Sequence, residues 1–160
     1  MGVDLYLVRH AIAEPFTPGR SDASRPLTAK GRSRFRRCVR GLRSLDVTFD
    51  LLLHSPLLRA VQTADELGGL VECSTEETGL LAQAPGLELL ARLTECSSAA
   101  LVGHEPWMGD LVGLLLTGEG GLPPVSFKKG AVAWLRGEPR PGGMELVAFL
   151  PPRVLVELKG

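Results

Sequence analysis

Three short apolar runs, each ending in a polar turn that carries a histidine and each followed by residues at helical spacing, constrain this chain more than any other feature. Leu5-Tyr6-Leu7-Val8 runs into Arg9-His10, Leu51-Leu52-Leu53 into His54-Ser55-Pro56-Leu57-Leu58-Arg59, and Ala99-Ala100-Leu101-Val102 into Gly103-His104-Glu105-Pro106. Strand, turn and helix repeated in that order predict a mainly parallel sheet with right-handed crossovers and helices on both faces. The polar turns then lie at the carboxyl ends of the strands, where open α/β sheets place their chemistry. They are expected to converge on one crevice that collects Arg9, His10, Arg59 and His104.

The periodicity predicts strands over 3–8, 50–54, 70–73 and 99–103, and helices near 28–45, 57–68, 86–95 and 106–116. Thr28 suits an N-cap, and Pro56 and Pro106 suit first-turn positions. After the Gly- and Pro-rich stretch Gly118–Pro124 the pattern changes, and 131–135 and 144–150 read as strands joined by a turn over Gly137–Gly143. These form an antiparallel edge pair or extend the parallel sheet. The expected architecture is one domain over residues 1–160, a three-layer α/β/α sandwich with a mainly parallel sheet and an antiparallel edge strand.

Taken singly, Arg9 would be an ordinary salt-bridge partner and His10 an ordinary satisfied core histidine. Taken together, two guanidinium groups and two imidazoles with no obvious acid between them make an anion site. A phosphoryl group matches it best, because its oxygens suit the fork of an arginine. Histidine can be both nucleophile and proton carrier near neutral pH. All three histidines of the chain stand at predicted strand ends.

These residues carry a resemblance. Leu7-Val8-Arg9-His10-Ala11 resembles the Arg-His-Gly signature of the histidine phosphatase (phosphoglycerate-mutase-like) superfamily, with Ala11 where the signature has glycine. Arg25-Pro26-Leu27-Thr28-Ala29-Lys30-Gly31, Ser55-Pro56-Leu57-Leu58-Arg59-Ala60-Val61-Gln62-Thr63-Ala64 and Val102-Gly103-His104-Glu105 resemble its later motifs, in the same order. The short length and the stretch Ser21–Thr28 are similar to the small bacterial phosphohistidine phosphatases of that superfamily. The resemblance implies His10 as the nucleophile that becomes phosphorylated, and Arg9, Arg59 and His104 as the groups that bind the phosphoryl oxygens. Arg25 is a further candidate for substrate contact by the same resemblance, and Ser55 of the second-arginine motif another. Larger relatives have an acid after the third strand; the matching region here, Thr78–Ala84, has none, with Glu76 and Glu77 just upstream.

Composition excludes more than it assigns. Lys+Arg and Asp+Glu balance at 18 each, so no global charge calls for nucleic acid. There is no signal-peptide pattern and no apolar run of membrane-spanning length, which leads to the expectation of a cytoplasmic protein that uses no membrane. Cys38, Cys73 and Cys96 lack paired spacing and are expected to be buried reduced thiols. No phosphate-cradling Gly-Lys-Ser/Thr loop and no clustered ligand set point to a cofactor or metal; zinc on His10 and His104 with Asp22 or Glu14 would stand beside Arg9, whose charge opposes a second cation. Seven cations lie between Lys30 and Arg43 without one acid, which is either a solvated helix face or a surface, Arg32–Arg43, that docks an acidic protein. The expected function is a metal-independent phosphatase acting through a covalent phosphohistidine, with a phosphorylated protein as substrate. A small-molecule phosphoester phosphatase and a non-catalytic phosphate- or phosphoprotein-binding module are the alternatives.

Overall fold

Alternation along the strands divides their apolar side chains between two faces. Tyr6, Val8, Leu52, Ala100, Val102 and Val132 pack into one core cluster. Leu5, Leu7, Leu51, Leu53, Ala99, Leu101, Ala133 and Leu135 pack into the other. Strands buried on both faces read as continuous apolar runs, as these do. The computed structural model describes residues 2–120 and 125–158. Among these, six strands form one sheet: β1 (Val3–Arg9), β2 (Phe49–His54), β3 (Val71–Glu77), β4 (Ser98–Gly103), β5 (Val132–Gly137) and β6 (Met144–Leu150), in the order β3-β2-β4-β1-β5-β6. The first four are mutually parallel. β5 runs antiparallel to β1, and β6 antiparallel to β5.

Helices cover both faces. α1 (Ala29–Ser44), α2 (Leu58–Leu67) and the short α5 (Pro152–Leu155) lie on the first cluster, and α3 (Leu87–Ala91) and α4 (Trp107–Thr117) on the second. The α/β/α sandwich with an antiparallel edge pair is therefore the observed fold. The Thr28 hydroxyl accepts from Gly31 N at 2.8 Å and caps α1, whose buried face carries Phe35, Cys38, Val39 and Leu42. Gly41 on that face is required, because a Cβ there would stand 2.1 Å from the Leu155 carbonyl oxygen of α5.

Several expectations are corrected. β3 continues to Glu77, four residues beyond its predicted end, because an edge strand with Glu72, Cys73, Thr75, Glu76 and Glu77 exposed needs no apolar pattern to pair with β2. α3 stops at Ala91: Leu93 is buried, and Asp50 Oδ2 holds the Ser97 and Ser98 amides, so the chain must turn back into β4. Leu57 and Pro106 are the N-caps of α2 and α4, so Pro56 and Pro106 stand just ahead of the first turns rather than in them. Cys38 is buried, and burial pushes its thiol up to about 11, but Cys73 is exposed and Cys96 half-buried. Of the stretch Gly118–Pro124, residues 121–124 lie outside the described residues. The basic face of α1 is divided: Arg32 and Arg36 both pair with Glu66 of α2, at 2.6 and 2.9 Å.

Candidate active site

Register builds the site. β2, β4 and β1 are neighbours, with Arg9 opposite Gly103 and His54 opposite Val102, so their carboxyl ends finish side by side. The ladder extends one step further, from His10 N to the Gly103 carbonyl at 3.0 Å and from Ser55 N to the Val102 carbonyl at 3.1 Å, which fixes the backbone under both imidazoles. Arg59 enters from the first turn of α2. All four expected residues meet there: the His10 and His104 rings lie 5.2 Å apart, and the charges of Arg59 and Arg9 act on both.

His10 is buried at 5% exposure, and its Nδ1–H donates to the Ala11 carbonyl at 2.7 Å. That bond leaves the Nε2 lone pair free. Burial foremost, with the neighbouring His104, Arg59 and Arg9 charges, lowers the pKa of His10 to about 3 despite the Ala11 carbonyl. His104 falls to about 4, again through burial first and Arg59 next. Both rings are neutral at pH 7. Ala11, in place of the signature glycine, is buried and donates its amide to Thr63 Oγ1 at 3.0 Å; its φ is not positive, so the methyl group introduces no backbone strain.

Arg9 Nη1 donates to the Phe127 carbonyl at 2.7 Å. Among the described residues, the buried side-chain polar atoms without a partner are Arg9 Nε, Arg59 Nε and His104 Nδ1. Orphaned buried nitrogens are rare, and these three belong to one four-residue set. Burial lowers the pKa of each arginine, yet both keep full positive charge at neutral pH, so the crevice is an anion seat.

Asp22, which the sequence offers only as a metal ligand, is instead the acid between Arg25 and Arg59. Its carbonyl accepts from Arg59 Nη1 at 3.0 Å, and its carboxylate accepts from Arg59 Nη2 at 3.1 Å and from Arg25 Nε at 2.8 Å. Burial alone would raise this carboxyl, but Arg25 and Arg59 outweigh it, and it stays below its ordinary value. Arg25 also donates from Nη1 to the Glu14 carbonyl at 2.8 Å, so it closes the loop before α1 over the site. Only its place in Ser21–Thr28 signalled Asp22, because the contact needs the loop to fold across α2.

Ser55 is fully buried, with its hydroxyl 2.7 Å from His104 Nε2 and accepting from Leu57 N at 3.2 Å. His54 Nδ1 bonds the Ser55 carbonyl at 2.9 Å. Glu76 pairs with Arg92, and Glu77 is exposed at the end of the edge strand. Among the described residues, no three His, Cys, Asp or Glu side chains stand grouped to hold a metal ion.

A buried anion seat at the carboxyl ends of a mainly parallel sheet, with a neutral imidazole inside it, defines a class of phosphoryl-handling α/β proteins, and comparison with known proteins specifies which. The family model of the histidine phosphatase superfamily (branch 1) matches residues 5–83. An uncharacterized protein of Picosynechococcus sp. is 34% identical over 142 residues, 84% of this chain and 85% of its own length. Phosphohistidine phosphatase SixA of Escherichia coli K12 is 32% identical over 149 residues, 82% of this chain and 83% of its own. The solved structure of the protein histidine phosphatase SixA complexed with tungstate superposes with a TM-score of 0.80 at 28% identity, covering 94% of this chain and 98% of that one. The chain belongs to the histidine phosphatase superfamily, in its small SixA-like branch.

Proposed function

We propose that the protein hydrolyses phosphohistidine on a signalling protein in the cytoplasm, through a covalent phosphohistidine on His10. The observation that carries this reading is the pairing of a free, neutral His10 Nε2 with three buried, unpartnered nitrogens of Arg9, Arg59 and His104. His10 Nε2 attacks phosphorus in line; a new N–P bond forms as the substrate P–N bond breaks, and its electron pair leaves with the substrate imidazole. Water then attacks phosphorus and the bond to His10 breaks; its electron pair returns to Nε2, the water protons stay on the departing dihydrogen phosphate, and His10 is neutral again with its proton on Nδ1. Arg9 and Arg59 offset the charge on the equatorial oxygens without reorganising.

Ser55 acts on His104 as a positioning residue. Its hydroxyl oxygen already accepts from Leu57 N, and donating its own proton to His104 Nε2 puts the imidazole proton on Nδ1, the unpartnered atom. A neutral His104 therefore suffices as a donor. Asp22 and Arg25 fix the direction of Arg59. The substrate preference rests on the acids: Asp22 is held ionised and Glu76 is spent on Arg92, so neither is a proton donor to a leaving group, and Glu77 stands exposed at the end of the edge strand β3. An imidazole leaves without one more readily than an alkoxide does. That the related SixA binds tungstate, a tetrahedral oxyanion, agrees with an oxyanion seat here.

The test is a brief incubation with labelled phosphohistidine protein and a denaturing quench. An acid-labile, base-stable phosphate is expected on the chain, and His10→Ala removes both label and turnover. Alkyl phosphates should turn over far more slowly than phosphohistidine, with a chelator changing neither rate. Undiminished hydrolysis by His10→Ala overturns the nucleophile, and equal rates on alkyl phosphates overturn the substrate.

A further inference from the structure

The charges of the described residues are unevenly neutralised. Arg25 and Arg59 share Asp22, Arg32 and Arg36 share Glu66, and Arg92, Arg136 and Arg140 pair with Glu76, Asp4 and Glu138. Arg34 of α1, Lys128 and Lys129 before β5, and Arg153 of α5 take part in no ion pair among the described residues, and all four rim one cleft of about 780 Å³. Arg9 lies at its edge, and no carboxylate is among its lining residues. Its floor is apolar, made by Ile12, Phe149, Pro151 and Pro152. A second hollow on α1 shares Ile12 and Arg34 with it and adds Lys30 and Arg37. In a chain with 18 cations and 18 acids, this concentrates unpaired positive charge beside the anion seat.

We infer that this cleft docks an acidic, partly apolar segment of the phosphorylated protein substrate, next to the phosphohistidine that enters the site. The inference rests on the proposed function and adds the surface that selects the substrate. Charge complementarity fixes the sign of the partner, because carboxylates on a bound segment would meet the unpaired rim cations at short range and steer encounter. The apolar floor decides the kind of partner. Ile12 and the prolines offer contact to leucine or valine side chains, whereas a nucleic-acid strand would use a row of aromatic stacking surfaces, and Phe149 is the aromatic residue in the lining. The same geometry relocates the docking face read from the sequence. Arg32 and Arg36, neutralised by Glu66, face away from this role, and Arg34 carries it.

The test uses the full chain and the triple variant Arg34→Glu, Lys129→Glu, Arg153→Glu, none of which belongs to the catalytic set. Binding of a fluorescein-labelled peptide of alternating glutamate and leucine is read by anisotropy at low salt, alongside kcat/KM for an acidic phosphohistidine protein and for free phosphohistidine. The wild type should bind the peptide, more weakly as salt rises; the variant should lose about tenfold in peptide affinity and in kcat/KM for the protein, with free phosphohistidine turned over as before. Equal peptide binding by the two proteins overturns the docking cleft while leaving the phosphatase reading intact. Tighter binding of a single-stranded oligonucleotide than of the peptide also overturns it, in favour of nucleic acid. Absence of phosphohistidine turnover in the wild type overturns the function instead, and the peptide measurement still judges the cleft.

Discussion

At the residue scale, the site works by setting the same side-chain types in different electrostatic roles. His10 and His104 are both neutral because burial costs their charged forms more than the nearby carbonyl or carboxylate returns. Both carry the proton on Nδ1, but they differ in which nitrogen is already engaged: His10 spends its Nδ1–H on the Ala11 carbonyl, whereas His104 accepts from Ser55 at Nε2 and keeps its Nδ1–H unpartnered among the described residues. One ring therefore offers a lone pair and the other an N–H. Arg59 is held on two nitrogens by Asp22, which aims its remaining buried Nε without removing its charge. Arg59→Ala should lower kcat/KM for phosphohistidine by about 10²–10³, the usual cost of one preorganised donor at a transferring group. Steady-state kinetics check this, and a loss of only a few-fold would mean that Arg9 and His104 carry the charge stabilisation without it. The four principal residues were legible in the sequence because each follows an apolar run or opens a helix. Asp22 was not, since its contact with Arg59 spans 37 positions and depends on the loop before α1.

At the element scale, close approach decides what a helix face can carry. Gly41→Ala gains about 1 kcal/mol of helix propensity, but the new methyl group would stand 2.1 Å from a backbone oxygen of α5 and cannot be relieved by a rotamer change. The clash should win, with a net destabilisation of about 1–3 kcal/mol and a fall in Tm of about 2–4 °C for each kcal/mol. Thermal unfolding reads it directly; an unchanged or raised Tm would show that α5 moves aside freely. The elements themselves were read well where burial writes a pattern, as in β1, β2, β4 and α1. β3 runs past its expected end because its exposed edge carries polar residues that pair through backbone alone, and α3 stops before its expected end although Leu87, Leu89, Leu90 and Leu93 keep an apolar run through a turn.

At the scale of the whole molecule, two buried neutral histidines make stability depend on pH. Their folded pKa values of about 3 and about 4 lie below the ordinary 6.5, so between 6.5 and those values the unfolded chain binds protons that the folded chain refuses. Their contribution is complete above pH 6.5 and is lost as pH falls towards 4 and 3. Asp22 and Glu66, held below their ordinary values, lose stability in the same direction at the acidic end. In phosphate-free buffer, Tm should fall more steeply from about pH 7.5 to about pH 4.5 in the wild type than in a His10→Ala, His104→Ala double variant. Parallel slopes would show that these rings are not held neutral.

Alternation, capping and chain direction are local properties, so the order of strands and helices, the two-faced core and the carboxyl-end placement of Arg9, His10, Arg59 and His104 are legible in the residues themselves. What stands opposite what is set by the folded chain. It places Asp22 against Arg59, Ser55 against His104, Glu66 against Arg32 and Arg36, and leaves Arg34, Lys128, Lys129 and Arg153 around one cleft with no ion-pair partner among the described residues. Charge pairing and burial depend on distances between residues far apart in the chain, and those distances are set only when the sheet closes its register and the helices dock on it.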